Sequence, residues 1–323
     1  MKELEKVNEI KGRKFLLKVE TSDDPRDYMK YEELRNEIWG DPKDNLSGTR
    51  NMMCENFLHD GSSLFIGVYT EEKKGSFKQD KEHLVGFSYG FVGIKDKEIA
   101  FRELDNLQFY SQYTCVRQGF QGLGLGILIK EFQREILMEI FGIYTVTCTY
   151  DPLTGINAYR NIHHFGMDVV EYREDYYGDF GRLLNREDVP FDRFFVCWDL
   201  KKGIQRPEYD LESLIDSGYL AVRACAETVK SRKGPVELEV VKDLNIHLDN
   251  EFLLVEIPVD FNRMLKETDV SESKVRNIPL EWRMNTRQAF NTLFKRKYKI
   301  IDFRLIKRDN RKRNFYILKR PKI

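Results

Sequence analysis

The sequence predicts an α/β fold, with strands and helices interleaved over residues 1–200 and a smaller α/β domain over 201–323. Three observations predict it. A β-type run, Leu107 to Val116, passes through a glycine-rich turn into a helical run, Ile127 to Phe141. Around that unit the hydrophobic periodicity switches in the order β-α-(α)-β-β-β-α-β-α-β-β. A break at Lys201-Lys202-Gly203, followed by Arg206-Pro207, then sets off the rest of the chain.

Each element has a local cause. Phe15 to Glu20 reads as the first strand, and Ser22-Asp23-Asp24-Pro25 as a capped helix start with proline at the first position. Tyr28, Tyr31, Leu34 and Ile38 recur at helical spacing until Gly40 and Pro42 stop the run, and Lys43 to His59 suggests a second helix. Ser62 to Tyr69 and His83 to Val92 are strands joined by a charged hairpin connection. The helix after the glycine turn gathers Ile127, Ile129, Phe132, Ile136, Ile140 and Phe141 on one broad side. Tyr144 to Tyr150 is a strand closed by Asp151-Pro152, Ile156 to Phe165 a short helix, and Val169 to Tyr172 and Phe194 to Asp199 are strands. Beyond the break come strands Glu237 to Val241 and Phe252 to Pro258, a helix Leu280 to Arg296, and strands Tyr298 to Ile306 and Asn314 to Lys319 about a charged turn.

Bulk composition narrows the class of function. A length of 323 residues suits about two domains, and 41% hydrophobic with 13% aromatic residues is a globular composition. Lys+Arg and Asp+Glu are both 53, so net charge gives no case for nucleic acid as a partner. Met1 to Leu17 lacks the apolar stretch of a signal peptide, and no run approaches the ~18 apolar residues of a membrane span, so a soluble, cytoplasmic protein with no membrane partner is expected. Five cysteines include no C-x-x-C pair, and Cys115, Cys148 and Cys197 sit in apolar runs as core thiols would. The five histidines do not pair with cysteines at zinc spacing, so no metal is expected.

The glycine turn carries the most chemistry. Residues 116–126 read VRQGFQGLGLG, and strand, glycine turn and helix in that order collect free backbone N–H groups at a helix N-terminus, where a phosphate binds. A Cβ at Gly124 or Gly126 would hold a phosphate off the backbone, and the helix adds a partial positive charge. A dinucleotide turn would need G-x-G-x-x-G in a repeated βαβ frame, and Gly122, Gly124 and Gly126 miss that spacing.

With Gln121, Gly124 and Gly126 at its fixed positions, the turn resembles the Q-x-x-G-x-G coenzyme A pyrophosphate loop of the GNAT acyltransferase superfamily. The order of elements is similar too, and implies an open, twisted mixed sheet with helices on both faces. Asp151-Pro152-Leu153, Asn157-Ala158, Asn161-Ile162, Tyr177-Gly178 and Asp192-Arg193-Phe194 with Trp198 resemble one branch of predicted acetyltransferases in that superfamily. Further matches at Ile38-Trp39-Gly40, Val255-Glu256-Ile257-Pro258 and Trp282-Arg283 spread the resemblance over nearly the whole chain. Phe294 to Phe303 also looks like His164 to Tyr172, so the C-terminal domain could be a degenerate half-copy of the GNAT unit or an unrelated appendage.

The resemblance implies an acyl-CoA co-substrate, acetyl or succinyl, and a small amine or amino acid acceptor. It implies coenzyme contacts from the backbone at Cys115 and Val116, from the turn residues Gln121, Gly122, Leu123, Gly124, Leu125 and Gly126, and from Asn157 and Asn161. Backbone N–H groups near Cys115 and Val116 would polarise the thioester carbonyl. Side-chain alternation puts Tyr110, Gln112 and Thr114 on one face and Ser111, Tyr113 and Cys115 on the other, with Tyr110 and Gln112 as substrate candidates. The strand lacks the usual glutamate base, Glu103 being the nearest, and Ile162 stands where the usual tyrosine acid would. Tyr159, His163 and Tyr172 are the substitutes available. Arg193 could hold a substrate carboxylate or pair with Asp192 or Asp151, and Arg283 with Arg287 could be helix packing or a substrate-facing basic pair. Three functions follow: a small-molecule N-acyltransferase, a protein-lysine acyltransferase, and an idle acyl-CoA-binding sensor or scaffold; a homodimer is compatible with each.

Overall fold

A charged hairpin begins the described chain: β1 (Glu5–Ile10) pairs antiparallel with β2 (Arg13–Val19). In the computed structural model, residues 4–39, 56, 61–178, 186–308 and 310–321 are described. The chain divides into two compact units, one of residues 1–148 with 199–201 and the other of residues 149–198 with 202–323. β1 was not foreseen, because Glu5, Lys6 and Glu9 give it the charged character of a sheet edge.

In the first unit the expected cap forms. The Asp24 side chain accepts from Arg26 N–H, Pro25 opens a 3₁₀ turn (Pro25–Tyr28), and α1 (Met29–Trp39) follows. The expected stop at Gly40 and Pro42 and all of Lys43 to His59 except Asn56 lie outside the described residues. Then come β3 (Ser63–Lys73), a two-residue β4 (Ser76–Phe77), β5 (Leu84–Ile94), β6 (Leu107–Val116), α2 (Leu125–Ile136) and β7 (Thr145–Tyr150). The sheet order is β1-β2-β3-β5-β6-β7, antiparallel except for the parallel β6–β7 step. That is the mixed sheet expected. Tyr28 of the 3₁₀ turn, with Tyr31 and Leu34 of α1, buries against Phe65, Phe87 and Cys115 of three adjacent strands, which fixes the face that α1 covers.

The second unit starts within the last two residues of β7. α3 (Gly155–Ala158) continues as a π-helical segment (Tyr159–His164), then β8 (Asp168–Arg173) pairs antiparallel with β9 (Arg193–Asp199). α4 (Leu211–Asp216), β10 (Leu220–Ser231), β11 (Gly234–Leu244), β12 (Phe252–Ile257), α5 (Phe261–Glu267), α6 (Ser273–Arg276), α7 (Ile278–Lys295), β13 (Lys299–Arg308) and β14 (Arg311–Lys319) complete it. Their sheet runs β11-β10-β12-β14-β13, with β10 parallel to β12. α4 and β10 were not foreseen; exposed Arg223, Glu227, Thr228 and Lys230 leave β10 no apolar alternation to read.

The C-terminal sheet repeats part of the earlier pattern. β12, helices and the β13–β14 hairpin follow the same sequence as β7, α3 and the β8–β9 hairpin. The preceding hairpins differ: β6, the second strand of its hairpin, adjoins β7, whereas β10, the first of its own, adjoins β12. The likeness is therefore confined to the last three strands of the sheet.

Candidate active site

β6 and β7 share only two parallel register pairs, Phe109 with Val146 and Tyr110 with Thr147. β6 then runs on to Val116 while remaining paired to β5 through Val116 with Gly86. From Ser111 onward, the edge of β6 that faced β7 is released from the ladder. Half of its backbone groups point to that edge. A bulge lies at the same place: Tyr89 pairs with Tyr113 and Gly90 with Ser111, which makes Gln112 the extra residue. The strict alternation expected along this strand is thus corrected, since the bulge interrupts it at Gln112.

The glycine turn follows directly. Arg117 N–H bonds to Val85 carbonyl at 2.8 Å, and a 3₁₀ turn (Gln118–Phe120) redirects the chain. The Gln121 side chain donates to the Val116 carbonyl at 3.0 Å, so it braces the turn against the end of β6. Gly122 and Gly124 have φ of +77° and +91°, a region that side chains disfavour. Gly124 caps α2, which starts two residues earlier than the expected Ile127, and its carbonyl takes the N–H of Ile127 and Leu128 at 2.9 and 3.2 Å. Among the described residues, the N–H groups of Gly122 to Gly126 meet no backbone acceptor. A Cβ on Gly122 or Gly124 would meet no protein atom within 4 Å, so the turn presents its row of N–H groups beside open space.

Other expected residues of this unit are placed as follows. Cys115 is buried, and burial pushes its thiol well up, so it is no thiolate nucleophile. Glu103 is exposed at the start of a 3₁₀ turn (Leu104–Asn106). The Tyr110 ring lies 5.4 Å from Phe91, and Gln112 is exposed on the bulge. Lys130 on α2 was not foreseen: buried, it donates to Ser111 Oγ at 2.5 Å beside the bulge and to Gln133 Oε1 at 3.3 Å. Its signal was a lysine among apolar helix positions.

In the second unit Asn157 and Asn161 are bridged by one side chain, because Arg160 donates to both amide oxygens, at 3.0 and 3.3 Å. The Tyr159 and His163 rings lie 4.8 Å apart between centres, tilted by 32°. The Tyr172 hydroxyl donates to Asp192 at 2.5 Å, and burial with the neighbouring carboxylate holds its pKa well above the phenol range. Arg193 stacks on Phe191 at 4.0 Å and reaches Tyr177 at 5.5 Å. The carboxylates considered as its partners are held elsewhere: Arg283 takes Asp151 at 2.9 and 2.5 Å, and Arg287 takes Asp192 at 2.8 and 2.5 Å. Of the two readings of Arg283 and Arg287, these contacts agree with the structural one, each arginine holding a buried carboxylate. Burial would lower the Arg283 pKa, but Asp151 outweighs it and raises it further. Asp302, which holds His163 at 2.7 Å, was not foreseen; 139 residues of sequence separate the two.

Among the described residues no cluster of three or more His, Cys, Asp or Glu could hold a metal, and no helix is long and apolar enough to cross a membrane. No family profile and no curated protein sequence matches the chain. Solved structures of similar shape include several acetyltransferases. NAA60 of Arabidopsis thaliana with a bisubstrate analogue is 10% identical over 57% of this chain and 98% of its own, with a TM-score of 0.42. The yncA protein of Salmonella typhimurium with its cofactor acetyl-CoA is 16% identical over 60% of this chain and 99% of its own, with a TM-score of 0.38. The ribosomal-protein-S18-alanine N-acetyltransferase of Escherichia coli is 11% identical over 60% and 99%, with a TM-score of 0.38.

Proposed function

We propose that this protein is an acyl-CoA-dependent N-acyltransferase, using acetyl-CoA or succinyl-CoA to acylate a small amine or amino acid by direct attack on the thioester. One observation carries the reading. β6 leaves β7 after Tyr110 and Thr147, and leads within one continuous run into an N–H-lined turn capped by Gly124. A released strand edge can pair with the amide-bearing pantetheine arm, as an added strand would. The turn and the start of α2 would hold the pyrophosphate through backbone N–H groups and the helix dipole.

In this reading the coenzyme supplies the activated acyl group, and the chain positions it. Backbone N–H groups near Cys115 and Val116 on the released edge would meet the developing oxyanion. The enzyme contributes proximity and orientation without a covalent acyl-enzyme, in keeping with a buried, protonated Cys115.

A second reading has its own support. The released part of β6 carries no carboxylate, and Tyr172, a candidate acid, spends its hydroxyl on Asp192. An idle module that binds acyl-CoA as a sensor would look the same. Calorimetric titration with acetyl-CoA, succinyl-CoA and NADH, on the natural chain and on Gly124→Glu, tests both. Micromolar binding of one acyl-CoA, lost in the variant, is expected, and thiol release with an amine panel then separates enzyme from sensor. Binding of NADH alone would overturn both.

A further inference from the structure

Lys130 stands among the apolar positions of α2 and is only 2% exposed. Its Nζ donates to Ser111 Oγ at 2.5 Å and to Gln133 Oε1 at 3.3 Å. Ser111 is buried too, and it follows Tyr110, the last residue of β6 in register with β7. Gln133, one turn beyond Lys130 on α2, is wholly buried, and its Nε2 meets no acceptor among the described residues. Apolar side chains at the two helix positions would avoid both burial costs. Local rules of packing are broken in this way where a fold serves function as well as stability.

The lysine grips β6 at its bulge. Ser111 pairs with Gly90 and Tyr113 with Tyr89, so the extra residue, Gln112, directly follows the serine. Two contacts hold the bulge in place. Within the sheet, Gly90 admits the Phe109 ring, which would lie 2.4 Å from a Cβ there. From the helix, Lys130 holds the Ser111 hydroxyl. Were the bulge to move along β6, each residue it passed would exchange the edge to which its N–H points. The same helix begins at the glycine turn, and Lys130 lies about 7.5 Å along its axis from Leu125, at ~1.5 Å per residue. One rigid element therefore sets the spacing between the N–H groups of the turn and the released edge of β6.

We propose that Lys130 is a positioning residue of acyl transfer: through Ser111 it fixes the bulge of β6, and so aims the released N–H groups at the thioester carbonyl of a coenzyme held on the turn. The inference rests on the acyl-CoA reading above. Lys130 itself forms and breaks no bond, and its role requires only an N–H to donate, not a charge. Placement of the N–H donors matters most in the transition state, where an error of about 1 Å can cost about a hundredfold in rate. Binding of the coenzyme, spread over the turn and the whole released edge, depends on it far less.

The test uses the full chain, acetyl-CoA and an amine panel, with thiol release as the signal. Lys130→Met, similar in length and apolar, is expected to lose at least about tenfold in kcat while its calorimetric affinity for acetyl-CoA stays within about threefold. Ser111→Ala should do the same, and the double variant should be no slower than the slower single one. Ser111→Thr, which restores a hydroxyl, should recover rate relative to Ser111→Ala. In NMR spectra of Lys130→Met the amide resonances of Gln112 to Val116 should move, and those of Gly122 to Gly126 should stay. Should that variant fail to fold, Ser111→Ala carries the same comparison. Full rate in both variants, no recovery with threonine, or unmoved β6 amides overturns the proposal while coenzyme binding stands. Binding without thiol release in the natural chain, or no binding of acetyl-CoA or succinyl-CoA, overturns the reading beneath it.

Discussion

Arg283 closes on Asp151 through both terminal nitrogens, at 2.9 and 2.5 Å, with the arginine wholly withdrawn from water. Asp151 also accepts the Leu153 N–H at 2.8 Å, so the same carboxylate shapes the turn after β7. Such a pair contributes little net stability when intact, but an orphaned partner is costly. Arg283→Leu is expected to lose about 3–5 kcal/mol, read from the urea midpoint at constant slope. Adding Asp151→Asn, which keeps the turn bond and removes the charge, should restore part of that loss. Equal stability in the single variant would show that water reaches Asp151 and solvates it.

A truncation prediction follows from the same helix. Arg287, one turn beyond Arg283, binds Asp192 through two nitrogens, and Phe290 packs on Tyr172 and Phe194. Chain ending at residue 200 would therefore leave Asp151 and Asp192 with no arginine from α7 and would bare the β8–β9 apolar face. The fragment 1–200 is expected to be insoluble or to unfold without a cooperative transition, as seen by circular dichroism. A soluble fragment with a sharp melt would mean that those carboxylates find other partners.

How much of this was legible depended on what each residue signalled locally. β6 and the glycine turn were readable because alternation, φ-tolerant glycines and a following helical period are all short-range signals. The bulge at Gln112 was not, since it arises from register against β5, where Gly90 lets the Phe109 ring approach within 2.4 Å of where a Cβ would sit. Arg283, Arg287 and Asp302 were opaque for another reason. A charged residue in a helix or strand looks solvated until the fold delivers its partner, and Asp151, Asp192 and His163 lie 132, 95 and 139 residues away. The charged edge strand β1 hid in the same way, as polar sequence whose pairing alone makes it a strand.

A pH prediction concerns the first unit. Glu20 and Lys30 form a buried pair at 3.0 Å, and Tyr31 donates to the same carboxylate at 2.8 Å. Burial alone would push Glu20 up, but Lys30, the Ser22 N–H and Tyr31 together hold it below its ordinary 4.5. A folded pKa below the unfolded one means stability that is present above pH 4.5 and lost as pH falls through the folded value. Lys30 is raised above 10.5, burial opposing and Tyr69 and Glu20 prevailing, so its share is present below pH 10.5 and fades above it. Glu20→Gln should be less stable at neutral pH and should show a shallower loss on acidification, measured by urea midpoints across the acid range. An unchanged acid limb would place the titrating carboxyls elsewhere.

The turn itself gives the last prediction. Gly124 combines φ of +91°, open space beside it and the capping position of α2, whereas Gly119 has ordinary φ and equally open surroundings. Alanine at Gly124 must either strain the backbone, at about 1–2 kcal/mol, or shift the turn. Either response moves the N–H groups of the turn, and a methyl group enters the space a phosphate would fill. Gly124→Ala is therefore expected to bind acetyl-CoA at least about tenfold more weakly, a loss equivalent to about 1.4 kcal/mol. Gly119→Ala, placed before the turn, should bind normally and melt within a degree or so of the natural chain. Equal affinity in both variants would remove the turn from the coenzyme site.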